Sequence, residues 1–142
     1  MSDLISRHLV NVRFSEVDSL HIVWHGHYVK YFEDGREQFG REFGLGYLDV
    51  FKEGYKTPII DVSCQYKRPA AYGDSVIVET RFVNSPAAKI IFDFQVFNAE
   101  TKHLLATGRT TQVFLDKNDE LFMVLPEFFK AWKRKWGLEA NE

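Results

Sequence analysis

The sequence contains a single cysteine among its 142 residues, which excludes a disulfide within the chain. We therefore expect a reducing, cytoplasmic compartment. Long apolar runs are also missing, which excludes a membrane-spanning helix. The first residues lack a basic stretch followed by an apolar core, so we expect no secretory signal. These absences together predict a soluble, cytoplasmic protein.

An excess of charge of either sign is absent as well. The formal net charge of −2 gives no electrostatic reason to expect a nucleic-acid partner. The one basic run, residues 133–135, is typical of a solvated helix face. The composition is 45% hydrophobic and 15% aromatic, which excludes a disordered chain. At this length we expect one domain over residues 1–142, with its own core.

Several catalytic motifs are missing too. No Gly-x-Ser-x-Gly segment is present, which disfavours a serine hydrolase, and no glycine-rich phosphate loop occurs. His21, His25 and His27 lack the spacing of a metal-binding motif, and no cysteine or carboxylate cluster accompanies them. We therefore expect neither a metal ion nor a cofactor.

The pattern that is present begins with a strand and a long helix. Alternation of apolar and polar residues predicts a strand over residues 8–15, with Val10, Val12 and Phe14 on one face. Aromatic residues then recur at spacings of three, four and seven, which predicts a helix over residues 26–43. Four more strands are predicted from two-residue periods over residues 60–66, 76–82, 90–96 and 104–115, and a last helix follows Pro126.

This element order, β-α-β-β-β-β-α, predicts an α+β fold in which the long helix lies on a five-stranded antiparallel sheet. Gly35 falls inside the helix, where glycine costs about 1 kcal/mol relative to alanine. Close approach of the sheet to that side of the helix would explain it. The sheet leaves open edges, and pairing of two copies at an edge would protect one of them.

Candidate chemistry is concentrated in the loop before the helix. Asp18 has two interpretations, a turn-capping carboxylate or a reactive one that the apolar residues 22–24 shield from water. Gly26 lies at the predicted helix start, where backbone N–H groups can polarise a carbonyl. A phosphate-bearing substrate would need basic side chains, for which Lys67, Arg68, Lys89 and Arg109 are candidates.

Two segments carry a resemblance to a known family. The first is Asp18-x-x-x-Ile22-Val23-x-His25-x-x-Tyr28-x-x-Tyr31-x-Glu33-x-x-Arg36, and the second is Arg68-Pro69-Ala70-Ala71-Tyr72-Gly73-Asp74. Together they resemble the 4-hydroxybenzoyl-CoA thioesterase family, and within it the YbgC-like acyl-CoA thioesterases. The resemblance implies a hotdog fold, in which an antiparallel sheet wraps a long helix. It also implies a homodimer or homotetramer.

The resemblance further implies hydrolysis of an acyl-CoA or acyl-carrier-protein thioester. Asp18 would be the catalytic carboxylate, as nucleophile or as general base. The backbone N–H at His25 would polarise the thioester oxygen. Substrate contacts are expected from His21, Trp24, Gly26, Tyr28, Glu33, Lys89 and Arg109.

One position departs from the family pattern. His21 stands where family members usually have glycine, three residues after the catalytic aspartate. Its side chain would narrow the acyl pocket or place an imidazole beside the thioester, which leaves the substrate class open. Two alternatives also stay open, a hydroxyacyl-thioester dehydratase and a non-catalytic domain that binds acyl-thioesters or proteins.

Overall fold

The computed structural model describes residues 4–138, which form six strands and three α-helices. The strands are β1 (Ile5–Asn11), β2 (Ile59–Tyr66), β3 (Ser75–Val83), β4 (Lys89–Asn98), β5 (Leu104–Leu115) and β6 (Leu121–Phe122). The helices are α1 (His27–Phe43), α2 (Tyr47–Phe51) and α3 (Glu127–Lys135). The predicted element order is confirmed, and the short elements α2 and β6 are additions to it.

The sheet is antiparallel throughout, with the strand order β1-β3-β4-β5-β2, and β6 pairs only with the end of β5. In β3 and β4 every second residue is buried, as the two-residue period predicts for strands with one face on the core. The α+β hotdog fold with a long helix, an antiparallel sheet and a C-terminal helix is therefore confirmed.

The first strand begins and ends earlier than predicted. β1 covers Ile5–Asn11, and a 3₁₀ turn, Phe14–Glu16, follows it. The prediction that Phe14 lies in this strand on one face with Val10 and Val12 is wrong, because the turn interrupts the two-residue period. The Phe14 ring is exposed and packs edge-on against Tyr72, with ring centroids 5.8 Å apart.

The helix α1 lies directly on the sheet. Its Phe32 ring stacks on Phe94 of β4, with ring centroids 4.6 Å apart. A Cβ atom added to Gly35 would overlap Thr80 Oγ1 and lie 2.7 Å from Val78 Cγ1, both in β3. The expectation that close approach of the sheet requires glycine at this position is confirmed.

The carboxyl end of α1 is closed by the last helix. Gly44 ends α1 in the left-handed region with φ of 76°, as a C-cap glycine does. The indole nitrogens of Trp132 and Trp136 donate to the Phe43 carbonyl at 2.7 and 3.1 Å. These bonds satisfy a carbonyl that the helix itself leaves without a partner. Among residues 4–138, no helix has the length and apolar character needed to cross a membrane.

Candidate active site

The loop that carries Asp18 is a narrow hairpin attached to the sheet. The Asp18 N–H donates to the Ile22 carbonyl at 2.9 Å, and Val17 bridges Val23. The Val23 N–H donates in turn to the Ala70 carbonyl at 2.8 Å. The two segments that carry the family resemblance therefore meet in space, and the second one holds the first.

The Asp18 side chain is half-buried and uses one oxygen locally. Its Oδ1 accepts the N–H of Leu20 at 2.8 Å, which is the turn-capping role. Within residues 4–138 its Oδ2 accepts no hydrogen bond, so this oxygen is available for a substrate or a water. The expected apolar shield is incomplete in the single chain, because Trp24 is exposed while Val23 is buried.

His21 has a backbone conformation that explains the usual glycine. Its φ is 67°, in the left-handed region, where a residue with a Cβ atom costs roughly 1 kcal/mol. The turn that begins at Asp18 requires this conformation, and glycine adopts it without that cost. The His21 side chain is exposed in the single chain.

The start of α1 offers backbone donors. The rings of His25 and His27 pack against the Trp24 indole at 4.9 and 5.6 Å. The same indole covers Gly26, where a Cβ atom would overlap the ring. In the described part of the chain, the N–H groups of His25 and Gly26 donate to no protein acceptor, whereas the His27 N–H donates to the Trp24 carbonyl. These two free donors lie at the positive end of the helix.

Tyr66 of β2 orients this helix start, and sequence reasoning did not find it. Its hydroxyl donates to the His25 carbonyl at 2.9 Å. That carbonyl and the Gly26 N–H belong to one planar peptide and point in opposite directions. Because Tyr66 holds the carbonyl on the β2 side, it also sets the direction of the Gly26 N–H. Tyr66 is 41 positions away from His25 along the chain, so no local pattern connects them.

Tyr28 is a buried anchor of the same region. Its hydroxyl accepts the Ala70 N–H at 3.2 Å, and its ring packs against Tyr66 at 5.3 Å. Burial raises the pKa of Tyr28 above its ordinary value. The geometry ties the start of α1 to the segment that also holds the Asp18 hairpin.

Glu16 is a second site residue that sequence reasoning missed. One carboxylate oxygen accepts the Arg13 N–H at 2.8 Å and the Tyr31 hydroxyl at 3.0 Å. Its carbonyl accepts the Trp24 N–H at 2.9 Å, so Glu16 joins both sides of the loop to α1. Burial, and then the hydrogen bond to Glu16, raise the pKa of Tyr31 above its ordinary value. A buried carboxylate of this kind is recognisable only from tertiary contacts.

Glu33 lies farther along α1, in the wall of a separate cavity of about 960 Å³. The cavity lies between α1, α2 and the start of β2, with Phe92 and Gln112 in its floor. Asp18 and His25 are not among its lining residues. Its position beside α1 makes it a candidate for the far part of a bound substrate.

Two of the basic residues predicted for phosphate binding lie elsewhere. Gly108 of β5 faces Phe32 of α1, so the adjacent Arg109 points to the opposite face of the sheet. There Arg109 donates twice to Asp93, at 2.6 and 3.0 Å. Lys89 is exposed at the start of β4. A single chain does not bring these residues together with Asp18, and their role stays a prediction.

Among residues 4–138, no group of three or more His, Cys, Asp or Glu side chains could hold a metal ion.

A sequence profile described as the thioesterase-like superfamily matches residues 12–133. The chain belongs to the thioesterase-like superfamily. Its enzyme class is that of the thioester hydrolases. The broader part of the resemblance found in the sequence is thus confirmed, whereas the narrower YbgC-like assignment stays a prediction.

Three similar proteins illustrate the range of the superfamily. YneP of Bacillus subtilis (strain 168) is 30% identical over 128 residues, covering 90% of this chain and 92% of YneP. It is provisionally named as an acyl-CoA thioesterase. The acyl-acyl carrier protein thioesterase ATL3 of Arabidopsis thaliana is 26% identical, over 75% of this chain and 56% of ATL3. The solved DHNA-CoA thioesterase of Staphylococcus aureus superposes with a TM-score of 0.82 and 25% identity, covering 94% of this chain and 89% of that one.

Proposed function

We propose that this protein hydrolyses acyl-CoA thioesters, with Asp18 as the catalytic carboxylate and the N–H groups of His25 and Gly26 as the donors to the thioester oxygen. The observation that carries the proposal is that the loop presents a carboxylate oxygen close in sequence to two N–H groups, all three without a hydrogen-bond partner among residues 4–138. Superfamily membership supports hydrolysis over the two alternatives, dehydration and non-catalytic binding.

Two routes lead to the same products. As a general base, Asp18 takes a proton from water while the water oxygen attacks the thioester carbon. As a nucleophile, Asp18 attacks that carbon itself and forms an acyl anhydride, which water then hydrolyses. In both routes the carbon–sulfur bond breaks, CoA leaves as the thiolate and takes up a proton, and the acyl group leaves as an acid.

The backbone donors matter because negative charge develops on the thioester oxygen during the attack. A fixed N–H group aimed at that oxygen contributes about 2.7–4 kcal/mol to transition-state stabilisation in well-studied cases. The Gly26 N–H needs no reorganisation, because Tyr66 already holds the peptide between His25 and Gly26.

A second copy of the chain would complete the site. β2 is an edge strand, and its Ile60, Val62 and Tyr66 are apolar yet between 41% and 57% exposed. An open apolar edge favours pairing with another strand, which supports the proposed homodimer or homotetramer. Because Tyr66 also contacts His25, pairing at this edge would bring the partner next to the helix start.

The fine points of the substrate belong to the same proposal. CoA phosphates would need cationic side chains, and Lys89 and Arg109 are the candidates we retain, together with His21 and Trp24 beside the thioester. Delivery of the acyl group by a carrier protein is the competing possibility, since one similar protein is named for that substrate. A cytoplasmic location and a YbgC-like specificity complete the proposal.

The test is thiol release from a panel of acyl-CoAs. Asp18→Asn removes the charge and keeps an oxygen that can accept the Leu20 N–H. We expect it to lose at least about a hundredfold in rate. Asp116→Asn is the matched control, because Asp116 Oδ1 also accepts the N–H two residues later, at 2.8 Å, in a distant turn. This control should keep wild-type activity.

Other outcomes would contradict the proposal. Equal activity of wild type and Asp18→Asn would remove Asp18 from the chemistry. Enoyl product without free thiol would establish the dehydratase. If wild type releases no thiol from any acyl-CoA, carrier-protein substrates or the binding domain would replace the proposal. A single turnover in ¹⁸O-labelled water separates the two routes, because only the nucleophilic route can leave label in the Asp18 carboxylate.

A further inference from the structure

Two arginines of α1 line the cavity beside the helix, and they differ in their partners. Arg41 is 69% exposed in its side chain and donates to Glu37 at 2.8 Å. Arg36 is only 23% exposed, and the Glu33 carboxylate oxygen lies 3.8 Å from it, beyond hydrogen-bond distance. Among residues 4–138 the Arg36 guanidinium donates no hydrogen bond. A guanidinium has five N–H donors, so these are unused.

The charge of Arg36 is partly buried, and its guanidinium nitrogens stay accessible to solvent. Burial lowers the pKa of the Arg36 guanidinium from its ordinary value, and the nearby Glu33 carboxylate reverses only part of this effect. The group stays charged at all physiological pH values. A partly buried cation that donates to no protein acceptor can donate to a ligand oxygen that enters the cavity.

The cavity has the character of a small-molecule site. Leu45, Val50, Ile90 and Phe92 contribute apolar walls. Gln112 is held in the floor by a hydrogen bond from its amide nitrogen to the Thr57 carbonyl at 2.7 Å. Charged side chains share the lining, namely Glu33, Glu37, Asp49 and the two arginines. A space that combines apolar walls with charged groups fits a ligand that is largely apolar and has a polar end.

The cavity lies farther along α1 than the proposed thioester site at the helix start. Arg36 follows Gly26 by ten residues, so it lies about 15 Å farther along the axis of α1. β2 runs beside this path, since Tyr66 at one end contacts His25 and Ile59 at the other end lines the cavity. An acyl group bound at the helix start would reach Arg36 with its far end.

We propose that Arg36 determines the acyl specificity of the enzyme by donating hydrogen bonds to an oxygen at the far end of a medium-length acyl chain. The inference rests on the proposed function, because it takes the helix start as the place of the thioester. Two kinds of acyl chain carry such an oxygen acceptor, one that ends in a hydroxyl group and one that ends in a carboxylate. The experiment distinguishes these two.

Thiol release is compared for decanoyl-CoA, its terminal-hydroxyl analogue and its terminal-carboxylate analogue. Wild type should favour at least one oxygenated substrate in kcat/KM. Arg36→Met keeps the length of the side chain and removes its donors, and it should lower that preference by about tenfold to a hundredfold. Decanoyl-CoA turnover should change little. Arg41→Met is the matched control in the same cavity and should keep the wild-type preference.

Three results would overturn the inference. A wild type that hydrolyses decanoyl-CoA without favouring an oxygenated analogue refutes it while leaving the proposed function intact. A change of oligomeric state in Arg36→Met, seen by gel filtration with unchanged substrate preference, would assign Arg36 to an interface.

If no CoA substrate is turned over, the proposed function fails, and calorimetry with the free decanedioic acid tests the cavity alone. Equal binding to wild type and Arg36→Met would then refute the role of Arg36.

Discussion

The contact between Gly35 and the sheet makes a quantitative prediction about stability. Alanine in the middle of a helix is favoured over glycine by about 1 kcal/mol. At Gly35, however, the added Cβ would overlap Thr80 Oγ1 and lie 2.7 Å from Val78 Cγ1. Overpacking of this kind typically costs about 1–3 kcal/mol. We therefore expect Gly35→Ala to lower the free energy of unfolding by about 1 kcal/mol in net terms.

A double-mutant cycle with Thr80 identifies the cause. The Thr80 hydroxyl is buried and has no hydrogen-bond partner among the described residues. Thr80→Ala loses a buried methyl group worth about 0.8 kcal/mol and removes an unsatisfied polar group, so its own effect should be small. In the double variant the methyl group introduced by Gly35→Ala occupies the space of the missing Oγ1. We expect a favourable coupling of about 1 kcal/mol between the two substitutions.

Urea unfolding of the four proteins, at one fixed protomer concentration, measures these quantities. If Gly35→Ala is more stable than wild type by the full helix-propensity gain, the helix is not pressed against β3. Additive effects of Gly35→Ala and Thr80→Ala would also refute the reasoning, because the overlap with Oγ1 would then have no energetic consequence.

Two further predictions concern tyrosines. Tyr66→Phe releases the His25 carbonyl and should lower kcat of acyl-CoA hydrolysis by about tenfold with little change in KM. Tyr72→Phe is the control. An unchanged kcat in Tyr66→Phe would contradict the orienting role of Tyr66. Tyr31 keeps its proton in the folded state above its ordinary pKa of 10.0, whereas the unfolded chain loses it. The contribution of Tyr31 to the free energy of unfolding should therefore be fully present below pH 10 and should be lost as the pH rises above it. Above this pH, the urea midpoint should fall less steeply with pH in Tyr31→Phe than in wild type. An identical pH dependence in the two proteins would exclude this contribution.

Much of the fold could be predicted from local sequence. The bounds of α1 and of β5 follow from periodicity, because one face of each element must be apolar. Gly35 and Gly44 could be interpreted at the sequence level, since glycine inside or after a helix has few physical explanations. Phe14 could not, because a 3₁₀ turn of three residues leaves no periodic signal.

The candidate site divides in the same way. Asp18 and Gly26 could be proposed because a loop carboxylate before a helix start is a short-range pattern, and the motif of the family resemblance contains Asp18. The bond between Tyr66 and His25 and the buried contact between Glu16 and Tyr31 join residues distant in sequence. No local pattern encodes such contacts.

The sequence by itself therefore determined the order of the main elements, the buried faces of α1, β3 and β4, and the choice of the loop before α1 as the candidate site, because these depend on neighbouring residues. Only the tertiary structure decided which donors and acceptors remain unused. Among residues 4–138, the N–H groups of His25 and Gly26 and the guanidinium of Arg36 donate to no protein acceptor. Whether a polar group has a partner depends on residues from every element packed around it, and that information appears only when the chain is folded.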